Sequence, residues 1–106
     1  MRTIMATLVL VLLATTAESG CFDGYGCTDE TDFSRDALRF ESCDYLWYMR
    51  NSIYDDHGYC FKTKRAQSVF DNTGCYVRDS ARIPFNRFEQ NNISRIRQIE
   101  KQLGCN

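Results

Sequence analysis

Six cysteines in a chain of 106 residues restrict its fold more than any other feature. They stand at Cys21, Cys27, Cys43, Cys60, Cys75 and Cys105. An even count in a short chain is the signature of a disulfide framework, which forms where the compartment is oxidising. Zinc is the rival use of so many thiols. Zinc sites take ligands in closely spaced pairs, and no Cys-x-x-Cys pair occurs here. The lone histidine, His57, completes no finger spacing either. Three bridges are expected, with no metal and no other cofactor. The length suits one small domain, whose modest core makes the bridges matter.

Such a chain needs a route to an oxidising compartment, and its first residues predict one. Arg2 gives a positive start, the run from Ile4 to Ala14 is apolar apart from Thr7, and Ala17 and Ser19 are small. That is the pattern of a secretory signal peptide over residues 1–19, cut after Ser19. The uncharged run Thr3–Ala17 holds 15 residues, short of the roughly 20 that a membrane-spanning helix needs. No membrane span is expected after the signal is removed. A lipid anchor on Cys21 competes, because Gly20 and Cys21 can end a lipobox. Glu18 opposes it, standing where an apolar residue is expected. The predicted location is periplasmic or secreted. With 13 basic and 14 acidic side chains, the charge is near balance, which argues against nucleic acid as a partner.

Residues 20–41 read as an irregular, acidic N-terminal arm. Cys21 and Cys27 flank a turn-rich stretch, and Asp23, Asp29, Glu30 and Asp32 lack the regular spacing of a calcium loop. Phe33, Leu38 and Phe40 can tack the arm to a core. Three helices follow over residues 42–106. The first is capped by Ser42 and runs Cys43–Asp56, with Gly58 placed to stop it. Leu46, Met49, Arg50, Ile53 and His57 recur along it at three- and four-residue steps. Its many aromatic residues exceed one stripe, so neighbours must wrap it or leave rings exposed. Thr63 caps a short second helix with an apolar edge of Ala66, Val69 and Phe70. The third opens on a capping box of Asn86 and Glu89 and carries Phe88, Ile93, Ile96, Ile99 and Leu103 on one face. If the first and third helices pack antiparallel, Cys43 meets Cys105. Cys60 and Cys75 then pair across the second helix, and Cys21 pairs with Cys27. The other connectivities of six cysteines remain open at this point. The expected fold is mainly α: a small three-helix, disulfide-stapled domain with an irregular arm.

The end of the first long helix carries a recognisable pattern: Arg50, Asn51, Ile53, Tyr54, His57, Gly58, Tyr59 and Phe61, with Lys62 after them. This resembles the YARHG domain of bacterial exported proteins, with Asp55 and Asp56 in place of the usual Ala-Arg. The likeness continues upstream through Ser42–Leu46. Downstream it takes in Phe70, Ile83–Phe85, Glu89–Ile93, Ile96 and Glu100. It implies an extracellular domain of unknown molecular function covering residues 40–105.

Candidate chemistry is sparse. His57 is the one side chain whose ordinary pKa lies near neutrality. A small hydrolase centred on it, oriented by Asp55 or Asp56, lacks a partner nucleophile. Ser52 stands five positions earlier, and the cysteines are taken by bridges. A histidine at a helix C-terminus also has a plain role, complementing the dipole or bonding a terminal carbonyl. Asp55 and Asp56 are neighbours in sequence and face different ways on a helix, unlike a glycosidase pair. Arg87, Arg95, Arg97 and Lys101 read as a solvated face. Asn92–Ser94 matches a glycosylation sequon and reads as helix surface in a bacterial host. Arg50 and Asn51, set in an apolar band, read as structural groups that must find partners. The aromatic residues are the best binding candidates. Trp47, Tyr48, Tyr54, Tyr59 and Tyr76, with His57, form the predicted recognition surface, apolar in body and polar at the tip. No catalytic residue is assigned. The expectation is a non-enzymatic binding or interaction module of the cell envelope. Its partner would be an envelope glycan or another exported protein. A lipid-anchored structural element is the remaining alternative.

Overall fold

A computed structural model describes Val9 and residues 20–106. The expected signal peptide, apart from Val9, lies outside the described residues. Strands β1 (Cys21–Phe22) and β2 (Gly26–Cys27) form a small antiparallel hairpin. Helices α1 (Arg35–Leu38), α2 (Cys43–Asp56), α3 (Lys64–Val69) and α4 (Arg87–Gln102) follow, with a 3-10 turn at Ser80–Arg82 between the last two. Among the described residues no helix is long and apolar enough to cross a membrane.

Each helix starts on a side chain that takes a free backbone N–H. Ser34 accepts from Ala37, Ser42 from Tyr45, Thr63 from Ala66 and Asn86 from Glu89. At α4 the capping box is complete, because the Glu89 carboxylate accepts in return from the Asn86 N–H. The α2 boundaries are those the sequence predicts. His57 closes that helix and Gly58 follows at φ +74°.

The core lies between α2 and α4. Leu46 and Met49 of α2 meet Ile96 and Ile99 of α4. Phe33 and Leu38 fill the same cluster from the N-terminal segment, both fully buried. A second cluster joins Phe61, Ala66 and Phe70, with Trp47, Tyr54 and Tyr59 packed against it. The first long helix is thus wrapped on two sides, and this is how it houses its aromatic residues.

Several expectations are corrected. Among the described residues there are four α-helices, not three. The extra one, α1, has only four residues, too few to show an apolar period. Residues 20–41 are less irregular than expected, because the Cys21–Cys27 bridge closes the hairpin and α1 follows. Phe40 does not tack this segment down: it is 92% exposed. Leu103 is the C-cap of α4 and is 43% exposed.

Asn92 is the largest departure. The sequon pattern placed it on the helix surface, yet it is fully buried. Its Oδ1 accepts from the Phe33 N–H at 2.8 Å, and its Nδ2 donates to the carbonyls of Thr28 and Thr31 at 3.0 and 2.8 Å. One side chain therefore satisfies three backbone groups of the segment that crosses α4. The other bridges join Cys43 to Cys105 and Cys60 to Cys75. This is the pairing that antiparallel packing of the two long helices predicts.

Candidate functional site

The motif residues at the end of α2 hold the fold together. Arg50 forms a two-pronged ion pair with Glu100, Nε to Oε1 at 2.6 Å and Nη2 to Oε2 at 3.1 Å. Both side chains are mostly shielded, and the fork geometry fixes the register of α2 on α4. The Asn51 amide donates to the Trp47 carbonyl one turn back, and Ile53 is fully buried. His57 Nε2 lies 2.5 Å from Glu89 Oε2, while Glu89 Oε1 holds the Asn86 N–H. A single buried carboxylate thus caps α4 and clamps the end of α2.

Gly58 shows why glycine is needed next. Its φ is left-handed, and a Cβ there would strike the Tyr76 ring. The Gly58 carbonyl accepts from the N–H groups of both Tyr76 and Val77. The chain then runs through Tyr59, which bridges to Val77, into buried Phe61. The backbone of Phe61 is held at both ends by the Asn72 side chain.

The six residues of the predicted recognition surface do not share one face. Trp47 packs on Phe70 with the Arg65 guanidinium 4.0 Å above its ring. Tyr59 packs edge-on to Tyr54 and Phe61 in the second cluster. Tyr48 stacks on Phe70 and is partly exposed. Tyr76 covers Gly58 and is 76% exposed. Tyr54 and His57 do come together, each edge-on to Phe85 at 5.1 Å.

Two concave features adjoin that trio. The first is a groove of about 450 Å³ along the outer side of α4. Tyr54, Phe85 and Ile93 give it apolar walls, and Gln90, Ser94, Arg97, Gln98 and Lys101 supply polar groups. No carboxylate lines it. Arg97 Nη2 donates to the Tyr54 hydroxyl at 3.0 Å, which fixes both groups at the rim. Among the described residues neither Arg97 nor Lys101 is in an ion pair. Nothing in the sequence marks this groove: Phe85 carries no periodic signal, and Arg97 and Lys101 read as an ordinary wet face.

The second feature is a polar cleft lined by Thr28, Asp29, Asp56, His57, Asn86 and Glu89. Partial burial raises the pKa of Asp56 to about 6, and the negative charges of Asp55, Glu89 and Asp29 add to the rise. His57 acts against them. Burial also raises the pKa of Asp55. Among the described residues no group of three or more His, Cys, Asp and Glu is arranged to hold a metal ion.

Taken together, these features define a small helical domain of the disulfide-stapled class, suited to an oxidising compartment. The chain belongs to the YARHG domain family, whose model matches residues 24–101. That span reaches back into the hairpin, consistent with a segment that contributes Phe33 and Leu38 to the common core. No curated protein and no solved structure matches the chain.

Proposed function

We propose that this is an exported, non-catalytic binding module whose α4 groove takes an acidic glycan of the cell envelope. The observation that carries the reading is the groove's lining. Tyr54 and Phe85 offer aromatic rings beside Ile93, and Arg97 and Lys101 stand at the rim with no carboxylate among the lining groups. In a chain of formal net charge −1, a rim with two cations and no carboxylate favours an anionic ligand. Sugar rings have apolar faces that pack on aromatic side chains, and their hydroxyls suit the amides of Gln90 and Gln98. A carboxylate would meet the Arg97 fork and Lys101.

Export, with removal of residues 1–19, supplies the compartment in which three bridges persist. The alternative of hydrolysis at His57 is weaker, since the ring contact with Glu89 accounts for Nε2 as a brace between α2 and α4.

The test is a titration of the oxidised protein with carboxylate-bearing and neutral envelope oligosaccharides, followed by amide NMR. Shifts should gather on Tyr54, Phe85 and the outer face of α4. The acidic ligand should bind with a dissociation constant of about 1 mM or tighter. Arg97→Gln with Lys101→Gln should weaken it by about tenfold or more while leaving the fold intact. Absence of shifts along α4 with every sugar would remove the glycan assignment. Shifts there with an acidic peptide alone would move the reading to an exported protein partner.

A further inference from the structure

We propose that cleavage between Ser19 and Gly20 creates an amino terminus that seats itself on Asp56 and Thr28, so that maturation completes an ion pair the precursor lacks. Gly20 has a φ of +89°, and its carbonyl accepts from the Thr28 N–H. A Cβ on Gly20 would lie 2.6 Å from Asp56 Oδ2 and 2.9 Å from Thr28 Oγ1. Both separations are too short for carbon. Both are ordinary hydrogen-bond distances for an ammonium nitrogen facing a carboxylate and a hydroxyl.

In the uncut chain, the Gly20 nitrogen is a neutral peptide nitrogen tied to the preceding residue. Hydrolysis adds water across that bond. The carboxylate leaves with Ser19, and the amine stays on Gly20 and takes up a proton. The freed nitrogen is then positioned only by rotation about the Gly20 Cα–C bond. A turn of about 120° about this soft sp³–sp² bond, the angle between substituents on a tetrahedral Cα, carries it into the place a Cβ would occupy, at nearly the same bond length from Cα. Glycine alone offers that position empty.

The electrostatics favour the same occupant. Asp56 is in no ion pair among the described residues. Asp55 beside it on α2, Glu89 on α4 and Asp29 after the hairpin are all carboxylates that disfavour its charge. The His57 ring, the opposing group, is held by Glu89. A free α-amino group has an ordinary pKa of about 7.7–8.0 and is largely charged at neutral pH. It would bring a cation to a place that has carboxylates in excess.

The experiment compares four forms of the exported, oxidised protein. Wild type and Asp56→Asn are each melted with a free Gly20 amine and after selective acetylation of that amine. The free-amine wild type should melt higher than its acetylated form by on the order of 4 °C or more. Asp56→Asn should lower the melting point of the free-amine form. In the acetylated form it should leave the melting point unchanged or raise it, since there it removes only a crowded charge. NMR titration should show the Gly20 amine pKa raised in wild type and returned to its ordinary range in Asp56→Asn. Equal shifts from Asp56→Asn in both forms would overturn the proposal. So would an exported protein whose first residue by N-terminal sequencing is not Gly20, including one that begins at a lipidated Cys21.

Discussion

At Gly58 two separate physical demands meet. The left-handed backbone costs a side-chain-bearing residue about 1–2 kcal/mol, and the added methyl would strike the Tyr76 ring. Because that ring is mostly exposed, it can swing aside, so the backbone term should dominate. Gly58→Ala should therefore destabilise by about 1–2 kcal/mol in urea unfolding, and adding Tyr76→Ala should recover little of it. Asp56 supplies a second residue-scale prediction, for protein whose Gly20 nitrogen is blocked. Its folded pKa of about 6 lies above the ordinary value of 3.8, so between those values the folded state binds more protons than the unfolded one. Stability must then fall as pH rises through that window, the reverse of a carboxylate with a cationic partner. Solvent screening keeps the effect below about 1 kcal/mol. Subtracting the unfolding free energy of Asp56→Asn from that of wild type at pH 4 and pH 7 isolates it. A difference that is flat or rises with pH would contradict the assignment.

Between elements, the couplings run through single polar side chains set in apolar faces. Asn92 is the clearest. Asn92→Ala leaves the Phe33 N–H and the carbonyls of Thr28 and Thr31 without partners, so it should cost about 3 kcal/mol or more. Hydrogen exchange should show the Phe33 amide losing protection ahead of the α2 amides. A loss spread evenly over the molecule would mean that Asn92 does not hold the crossing segment locally. This residue also marks where the sequence stops being legible. The limits of α2 and α4 can be read because Ser42, Gly58, Asn86 and Glu89 act on their own nearby backbone. The Arg50 and His57 partners cannot be read, because Glu100 and Glu89 come from α4, 50 and 32 residues away. Asn92 is harder still, since a polar residue on an amphipathic helix looks like surface until its backbone partners are in place. The α4 groove was hidden for the same reason: Tyr54 and Phe85 meet only once α2 and the Ile83–Asn86 stretch are folded together.

For the whole molecule, the question is which covalent link carries more of the stability. Cys43–Cys105 ties the start of α2 to the end of α4 across 62 residues of chain. Cys60–Cys75 closes a 15-residue span around α3. In the chain-entropy model the stabilisation grows with the logarithm of the loop, giving about 4 kcal/mol for the first and about 3 kcal/mol for the second. Either is comparable with the entire stability of a small domain. The two losses should differ in kind more than in size. Without Cys43–Cys105, α2 and α4 still share the Arg50–Glu100 fork and the Leu46, Met49, Ile96 and Ile99 contacts. Cys43→Ser with Cys105→Ser should therefore unfold in one transition at lower denaturant. Without Cys60–Cys75, the cluster of Phe61, Ala66 and Phe70 is held by the Asn72 and Gln67 hydrogen bonds to Phe61, by aromatic packing on Trp47 and Tyr48 of α2, and by an Arg65–Asp44 ion pair that is exposed, unlike the shielded Arg50–Glu100 fork. Cys60→Ser with Cys75→Ser should lose amide protection around α3 first, while α2 and α4 stay closed. Global unfolding in both variants with no early loss at α3 would mean the two clusters fold as one unit. Partial opening at α3 would instead make it the loosest part of the domain. A ligand seated on Tyr54 and Arg97 should then slow exchange at α3 as well, because Tyr54 packs against both.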